Sequence, residues 1–186
     1  MKHLFEKFTR GLSTSIENIG NLCFEIVIAN SSKVAFRERV YCYELYHQLR
    51  NTLNAFPLFI YGEPDKGSHP DFKAIGRKSP DFIIHEPGNH GSNLAVLEVK
   101  SHLSSTKRFN KDIDTVCKFV RDDKIDYKWG LLLIVGGNDF KKRFLRKFDD
   151  DISSDEQIIL LWHKAAKTKP IQIRGPETSL FDKKLV

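Results

Sequence analysis

The chain has 186 residues, of which 40% are hydrophobic and 29% charged, and its formal net charge is +6. This length and composition favour one globular domain with a substantial core, and they exclude disordered and fibrous architectures. The longest aliphatic run, Leu131 to Val135, is far shorter than the roughly 20 residues that cross a bilayer, so no membrane helix is expected. The mild basic excess is compatible with a nucleic-acid partner without indicating one.

The first thirty residues are predicted to be helical. Apolar residues recur there at steps of three and four, which gathers on one helix face Leu12, Ile16, Ile19, Cys23 and Ile26. Charged side chains interrupt any apolar stretch of the signal-peptide type, so export is not expected. We expect a cytoplasmic location instead. Residues 1–30 are therefore interpreted as an N-terminal helical extension of the domain.

The middle of the chain reads as a helix followed by three strands. Ser31 and Ser32 are candidate caps for a helix that runs to about Leu53. A strand near 57–61 leads into a polar loop, and two more strands, at 80–86 and 93–101, are joined by Pro-Gly-Asn-His-Gly-Ser, which is hairpin-turn chemistry.

The second half of the chain alternates helices and strands. The predicted elements are an amphipathic helix at about 107–122, a buried strand at 129–135, a basic helix at about 139–148, a buried strand at 158–163 and a short edge strand after Thr168. A meander followed by a helical crossover into a buried strand predicts an α/β fold, a three-layer sandwich with a central mixed β-sheet and helices on both faces. We expect a single domain with a core at 33–135 and a C-terminal part at 136–186.

The most informative polar residues lie in the predicted hairpin. Glu98 and Lys100 interrupt an otherwise apolar strand and, being two residues apart, point to the same face. Asp81 begins the partner strand, so the hairpin brings two carboxylates and a lysine together at one end of the sheet. Paired carboxylates bind hard cations such as Mg²⁺. A cross-strand salt bridge or an exposed strand end is the alternative interpretation.

Pro80-Asp81 followed by Glu98-Val99-Lys100 resembles the PD-(D/E)XK nuclease superfamily, which includes restriction endonucleases and Holliday-junction resolvases. Both short patterns recur elsewhere in the chain, but only these copies fall on the paired strands. The resemblance implies a restriction-endonuclease-like αβββαβ core, with Asp81 and Glu98 as ligands of Mg²⁺ or Mn²⁺, the Val99 carbonyl as a third ligand and Lys100 as the catalytic lysine.

The resemblance also implies an acidic residue from the first core helix, for which the sequence offers Glu38 and Glu44. Glu38 falls inside the apolar stripe of that helix, in the half that overhangs the site, whereas Glu44 lies on the flank of the stripe. We therefore favour Glu38 as the fourth catalytic residue. An ordinary ion pair with Lys33 or Arg39 is the alternative for Glu38.

The loop after the first strand carries further candidates. Glu63 and Asp65 leave the strand near the site and are either additional ligands or turn residues. Four basic residues follow and form a candidate phosphate-contacting patch, with a solvated loop as the alternative: Lys66, Lys73, Arg77 and Lys78.

Other polar residues carry weaker signals. The three cysteines, Cys23, Cys42 and Cys117, lack zinc spacing and are expected to be buried, reduced thiols. The histidines are irregularly spaced, and only His69 and His102 are placed to contact a phosphate near the site. The basic helix after Gly136-Gly137 is a candidate for lying along a DNA backbone, through Lys141, Lys142, Arg143, Arg146 and Lys147.

The sequence thus predicts a metal-dependent DNA endonuclease, with no membrane partner. Two alternatives stay open: a catalytically idle nuclease-fold module that binds DNA within a larger complex, and an RNA-processing nuclease with the same chemistry. The resemblance further implies a homodimer, although the apolar N-terminal helices are equally suited to cover the chain's own sheet.

Overall fold

The computed structural model describes residues 1–31, 34–64, 79–152, 157–176 and 181–183. The helices in these ranges are α1 (Lys2–Glu17), α2 (Asn21–Phe24), α3 (Glu38–Thr52), α4 (Thr106–Arg121) and α5 (Leu145–Asp151). The strands are β1 (Ile26–Val27), β2 (Val34–Ala35), β3 (Phe59–Gly62), β4 (Phe82–His85), β5 (Ala95–Ser101), β6 (Trp129–Val135), β7 (Ile158–His163), β8 (Ile171–Arg174) and β9 (Asp182–Lys183). Single turns of 3₁₀ helix occur at His90–Ser92 and Lys142–Phe144.

The central sheet is mixed, with the strand order β3-β4-β5-β6-β7-β8-β9. Strands β3, β4 and β5 form an antiparallel meander, whereas β5, β6 and β7 are parallel to one another. Helix α4 connects β5 to β6, as a parallel pair requires a crossover. The predicted α/β class with a mixed sheet is confirmed.

Hydrophobic side chains on the two faces of this sheet form two separate clusters. On one face Ile83 and Val96 pack with Phe109 and Ile113 of α4. On the other face Leu97 and Val99 pack against α1 and α3, which contribute Phe8, Leu12, Leu45 and Leu49. Helix α1 therefore covers the chain's own sheet. Burial of each of these side chains stabilises the folded state by roughly 1.5–3 kcal/mol.

Helix α4 lies very close to the start of β6, because the second residue of that strand is Gly130. A Cβ atom added at Gly130 would lie 2.4 Å from Val116 Cγ1 and 3.1 Å from Val120 Cγ2. No larger residue fits without moving the helix, so Gly130 sets the spacing between helix and sheet.

The structure corrects several predicted boundaries. The helix expected after Ser31 and Ser32 begins instead at Glu38, because Val34–Ala35 pairs with Ile26–Val27 as a two-stranded ribbon and Arg37 is extended, with φ −123°. The same pairing ends the helical N-terminal segment before residue 26. The basic helix expected at 139–148 is a 3₁₀ turn followed by α5, which extends to Asp151.

Other boundaries agree more closely with the sequence. Strands β6 and β7 have the predicted limits, and the expected strand after Thr168 is β8. The first meander strand lies about two residues later than predicted, at Phe59–Gly62. Among the described helices, none combines the length and apolar character needed to cross a membrane.

Candidate functional site

Asp81, Glu98 and Lys100 converge at one end of the sheet, on the face covered by α4. Ile83 is paired with Val96, so the two side chains share a face. Because side chains alternate along a strand, Glu98 and Lys100 share that face with Val96, and Asp81 shares it with Ile83. The register therefore brings the three residues predicted from the hairpin together.

The Asp81 carboxylate continues the β4–β5 ladder where its backbone pairing ends. The last backbone pair is Phe82 with Leu97, and one step further Asp81 Oδ2 accepts the N–H of Val99 at 2.7 Å. Val99 thus takes part through its N–H group, while a ligand role for its carbonyl stays a prediction. Burial raises the pKa of Asp81, and the hydrogen bond from Val99 only partly opposes this effect.

Glu98 is the most deeply buried acid of the cluster, with 7% of its surface exposed. Its carboxyl group is hydrogen-bonded to that of Asp81. Burial, followed by the negative charges of Asp81 and Asp112, raises the pKa of Glu98 well above its usual range. The two neighbouring negative charges thus disfavour each other, which adds to the effect of burial on Glu98.

The ammonium group of Lys100 is held between two carboxylates. Lys100 Nζ lies 3.1 Å from Glu38 Oε2 and 3.1 Å from Asp112 Oδ2. Burial disfavours the charged form of Lys100, but Asp112 and Glu38 outweigh this cost and raise its pKa. Lys100 is consequently a permanent cation over the physiological pH range.

Glu38 reaches the cluster from the first residue of α3. Its carboxylate accepts hydrogen bonds from Lys100 Nζ, from the backbone N–H of Ser101 at 3.2 Å and from Ser104 Oγ at 3.0 Å. Glu44 instead accepts a hydrogen bond from Gln48, one turn along the same helix. The structure thus brings Glu38, and not Glu44, to Lys100.

Asp112, on α4, was not identified from the sequence. Its Oδ2 atom contacts Lys100, and burial raises the pKa of its carboxyl to about 6 although the Lys100 charge opposes this shift. A signal was present, because Asp112 lies three residues after Phe109 and four before Val116, within the apolar stripe of the helix. Asp112 is thus, like Glu38, an acidic residue inside the apolar stripe of a helix.

Several predicted residues make other contacts or lie beyond the described ranges. Glu63 adjoins Asp81, to whose carbonyl oxygen it donates its N–H at 2.8 Å, but its carboxylate forms an exposed ion pair with Arg39, at 3.3 Å. The loop residues named above lie outside the described residues: Asp65, Lys66, His69, Lys73, Arg77 and Lys78. Cys23, Cys42 and Cys117 are not in disulfide bonds within the described residues, and Cys42 and Cys117 are buried.

The basic segment after β6 is partly engaged within the molecule. Arg143 donates to the carbonyl oxygens of Ser104, at 2.8 Å, and His102, at 3.3 Å. Lys147 forms ion pairs with Asp114 and Asp151. Two of the five residues proposed to follow a DNA backbone therefore hold internal contacts.

A groove of about 390 Å³ opens at the carboxyl ends of the parallel strands. Residues lining it include Phe36, His102, Gly137 and Lys164. His102 Nδ1 lies 3.2 Å from the carbonyl oxygen of Val135, and burial lowers the pKa of His102. His102 and Leu103, which line the groove, lie between Ser101 and Ser104, which both donate hydrogen bonds to Glu38.

The donor chemistry of the cluster fits a cation that needs few protein ligands. No group of three or more His, Cys, Asp or Glu side chains is placed to hold a metal ion in the part of the chain that the structure describes. Asp81 and Glu98 nevertheless form a hydrogen-bonded carboxyl pair. Mg²⁺ is commonly bound through one or two carboxylates and completes its shell with waters and phosphate oxygens, so this pair is sufficient for it.

Comparison with known protein families, with characterised proteins and with solved structures found no match.

Proposed function

We propose that the chain is a metal-dependent nuclease of the PD-(D/E)XK type. The observation that carries the proposal is the convergence of Asp81, Glu98 and Lys100 on one face at one end of the sheet. The order α3-β3-β4-β5-α4-β6 also agrees with the helix, three-stranded meander, helix and strand of a restriction-endonuclease-like core in three layers.

Asp81 and Glu98 are the proposed ligands of Mg²⁺ or Mn²⁺, together with the Val99 carbonyl. When bound, such a cation supplies an activated water and stabilises negative charge on a phosphate. The raised pKa values of both carboxyls fit this role, because a bound cation would supply the counter-charge that these buried groups lack.

Lys100 is the proposed orienting cation rather than a base. An ammonium group has three N–H donors. Within the described residues Glu38 and Asp112 engage Lys100, which leaves a donor for a water molecule or a phosphate oxygen. Glu38 and Asp112 act through Lys100, and we assign them positioning roles.

The test is a cleavage assay on supercoiled plasmid, single-stranded DNA and single-stranded RNA, with Mg²⁺, with Mn²⁺ and with EDTA. We expect metal-dependent cleavage by the wild type that is lost in Asp81→Asn and in Lys100→Met. Glu44→Gln is the matched control, since it changes a carboxylate of α3 that lies away from Lys100. A wild type inert towards every substrate with both metals contradicts the proposal.

One observation favours the alternative of a catalytically idle, nucleic-acid-binding module. Glu38 contacts Lys100, Ser101 and Ser104, so it fastens α3 to the end of β5 as a structural residue would. If the module is idle, the wild type and Asp81→Asn bind nucleic acid equally well, and neither protein cleaves it. An RNA-processing enzyme cleaves only the RNA arm of the same assay. The homodimer and the cytoplasmic location stay predictions.

A further inference from the structure

Two neighbouring aromatic side chains on the edge strand β3 point into solvent. Phe59 is 50% exposed and Tyr61 is 40% exposed, whereas Ile60 between them is buried. The two rings are nearly parallel, with centroids 6.2 Å apart and an interplanar angle of 15°. The ring of His85 stands edge-on to Tyr61 at 5.3 Å. We call Phe59, Tyr61 and His85 the aromatic platform.

The aromatic platform lies on the same face of the sheet as the acidic cluster. Phe59 is paired with His85 and Tyr61 with Ile83, and Ile83 is paired in turn with Val96, the strand neighbour of Glu98 on that face. Helix α4 packs over β5 and β6, while β3 receives its helix contact from α3 on the opposite face. The described helices thus cover the cluster side of this face and leave the platform side open.

The exposed and nearly parallel rings of Phe59 and Tyr61 suit unpaired bases. Aromatic side chains on an exposed strand bind single-stranded nucleic acid because every base has a π-face that stacks on them, whatever its sequence. The bases of a duplex are already stacked on one another and are reached only through the grooves. The net charge of +6 is compatible with a polyanionic partner, and the exposed Arg39, ion-paired with Glu63, lies at the end of β3 next to Asp81.

We propose that the aromatic platform binds unpaired bases, and that the substrate presented to the acidic cluster is single-stranded nucleic acid. This inference rests on the proposed nuclease function for its second half. The strand would run across the platform towards Asp81, and stacking on Phe59 and Tyr61 would fix its position. Base stacking does not distinguish DNA from RNA, so both are tested.

Binding is measured without cleavage, by fluorescence anisotropy in EDTA with the Asp81→Asn protein. The probes are a labelled DNA single strand of about 15 nucleotides, an RNA of the same sequence and the corresponding DNA duplex. We expect tighter binding of the single strands than of the duplex. Phe59→Ala and Tyr61→Ala should each weaken single-strand binding by roughly tenfold, as expected for the loss of one stacked base. The variant Tyr61→Phe should bind as tightly as its parent.

Tyr43→Ala is the matched control, because Tyr43 is 60% exposed on α3, away from this face. Its single-strand affinity should be unchanged, and circular dichroism confirms that each variant is folded. Equal losses in Tyr43→Ala and Tyr61→Ala, unchanged binding in both platform variants, or a preference for the duplex overturns the proposal. Self-association through β3 that weakens in Phe59→Ala, without single-strand binding, also overturns it and assigns the surface to a second copy.

The two proposals fail separately. If the wild type cleaves but the platform variants bind and cleave like it, the nuclease stands and the platform does not. If the platform variants lose single-strand binding while the wild type cleaves nothing, the platform stands as a binding site and the nuclease proposal fails.

Discussion

Lys100 Nζ lies 3.1 Å from Asp112 Oδ2, and this ion pair ties the end of β5 to the middle of α4. The partner from the opposite side is Glu38, so the lysine joins a helix from each face of the sheet. The contact with Asp112 is well shielded, since 15% of the Lys100 side chain and 13% of the Asp112 side chain are exposed, whereas 35% of the Glu38 side chain is exposed. Removing either carboxylate therefore changes the position of the ammonium as well as its charge balance.

Asp112→Asn should lower cleavage by roughly 10- to 100-fold, the range found when a group that orients an active-site residue is removed. The physical reason is that the pKa of Lys100 falls and its ammonium is no longer fixed from the α4 side. The loss should appear mainly in kcat, with a pH–rate profile altered at high pH. Asp114→Asn changes an acid of the same helix that contacts Lys147 instead, and it should cleave normally. Equal activity in both variants contradicts the positioning role.

The Asp81–Glu98 pair should make the metal-free protein less stable as pH rises. Because the folded pKa of Glu98 is raised, the native state holds more protons than the unfolded state above the ordinary Glu pKa. The contribution of Glu98 is thus fully present at low pH and is lost as pH rises through the folded pKa. Urea denaturation of the wild type and of Glu98→Gln from pH 4 to pH 8 isolates this contribution, because the stability of the wild type relative to the variant should decline as pH rises. A steeper decline in the variant contradicts the assignment.

Adding Mg²⁺ at neutral pH should reverse that loss and release protons. A ligand at 100 times its Kd stabilises the folded state by about 2.7 kcal/mol, and a cation bound between two carboxyls of raised pKa would favour their deprotonated forms. Calorimetric titration in two buffers of different ionisation enthalpy measures the protons released, and a thermal melt measures the rise in Tm. Both effects should disappear in Asp81→Asn. A wild type that shows neither effect argues against a metal site at this pair.

His163, remote from these carboxyls in the sheet order, should give the opposite pH dependence. Its Nδ1 lies 2.7 Å from the Tyr41 hydroxyl, and burial lowers its pKa from 6.5 to about 4. The stability that depends on the neutral ring is therefore present above pH 6.5 and lost as pH falls towards 4, by roughly 3 kcal/mol in total. His163→Gln should lack this part of the slope. His3→Gln, a change at an exposed site on α1, should keep the wild-type slope.

Gly130→Ala should destabilise the fold by roughly 1–3 kcal/mol, because the new methyl group overlaps Val116. Combining it with Val116→Ala should recover part of that loss, since the second change removes the overlapping atoms. A double-mutant cycle of unfolding free energies measures the coupling. Strictly additive effects contradict the close approach of α4 to β6.

The strands at the centre of the sheet could be predicted because burial on both faces leaves long apolar runs. Strands β6 and β7 agree with the sequence for this reason. The start of α3 could not be predicted, since pairing between Ile26–Val27 and Val34–Ala35 takes the preceding residues out of the helix. That pairing depends on tertiary contacts, which periodicity does not report.

Most residues of the candidate site could be predicted from the sequence, whereas their contacts could not. Strand alternation placed Glu98 with Lys100, and helix periodicity favoured Glu38 over Glu44. The direction of the Glu38 carboxylate, towards Lys100 and Ser101, depends on side-chain rotamers and on how α3 meets β5. Asp112 could have been found from the same helical periodicity on α4. Its contact with Lys100 depends on how α4 crosses over from β5 to β6, which the sequence pattern does not specify.

The stacking of Phe5 on Trp129, with ring centroids 3.8 Å apart and an angle of 5°, has a consequence during synthesis. Helix α1 is synthesised before β6, which belongs to the sheet that buries it. At roughly 5–20 residues per second, the apolar side of α1 lacks this strand for on the order of ten seconds. Until Trp129 has been made, Phe5 has no ring on which to stack, and the fluorescence of Trp129 would report the moment when the helix docks.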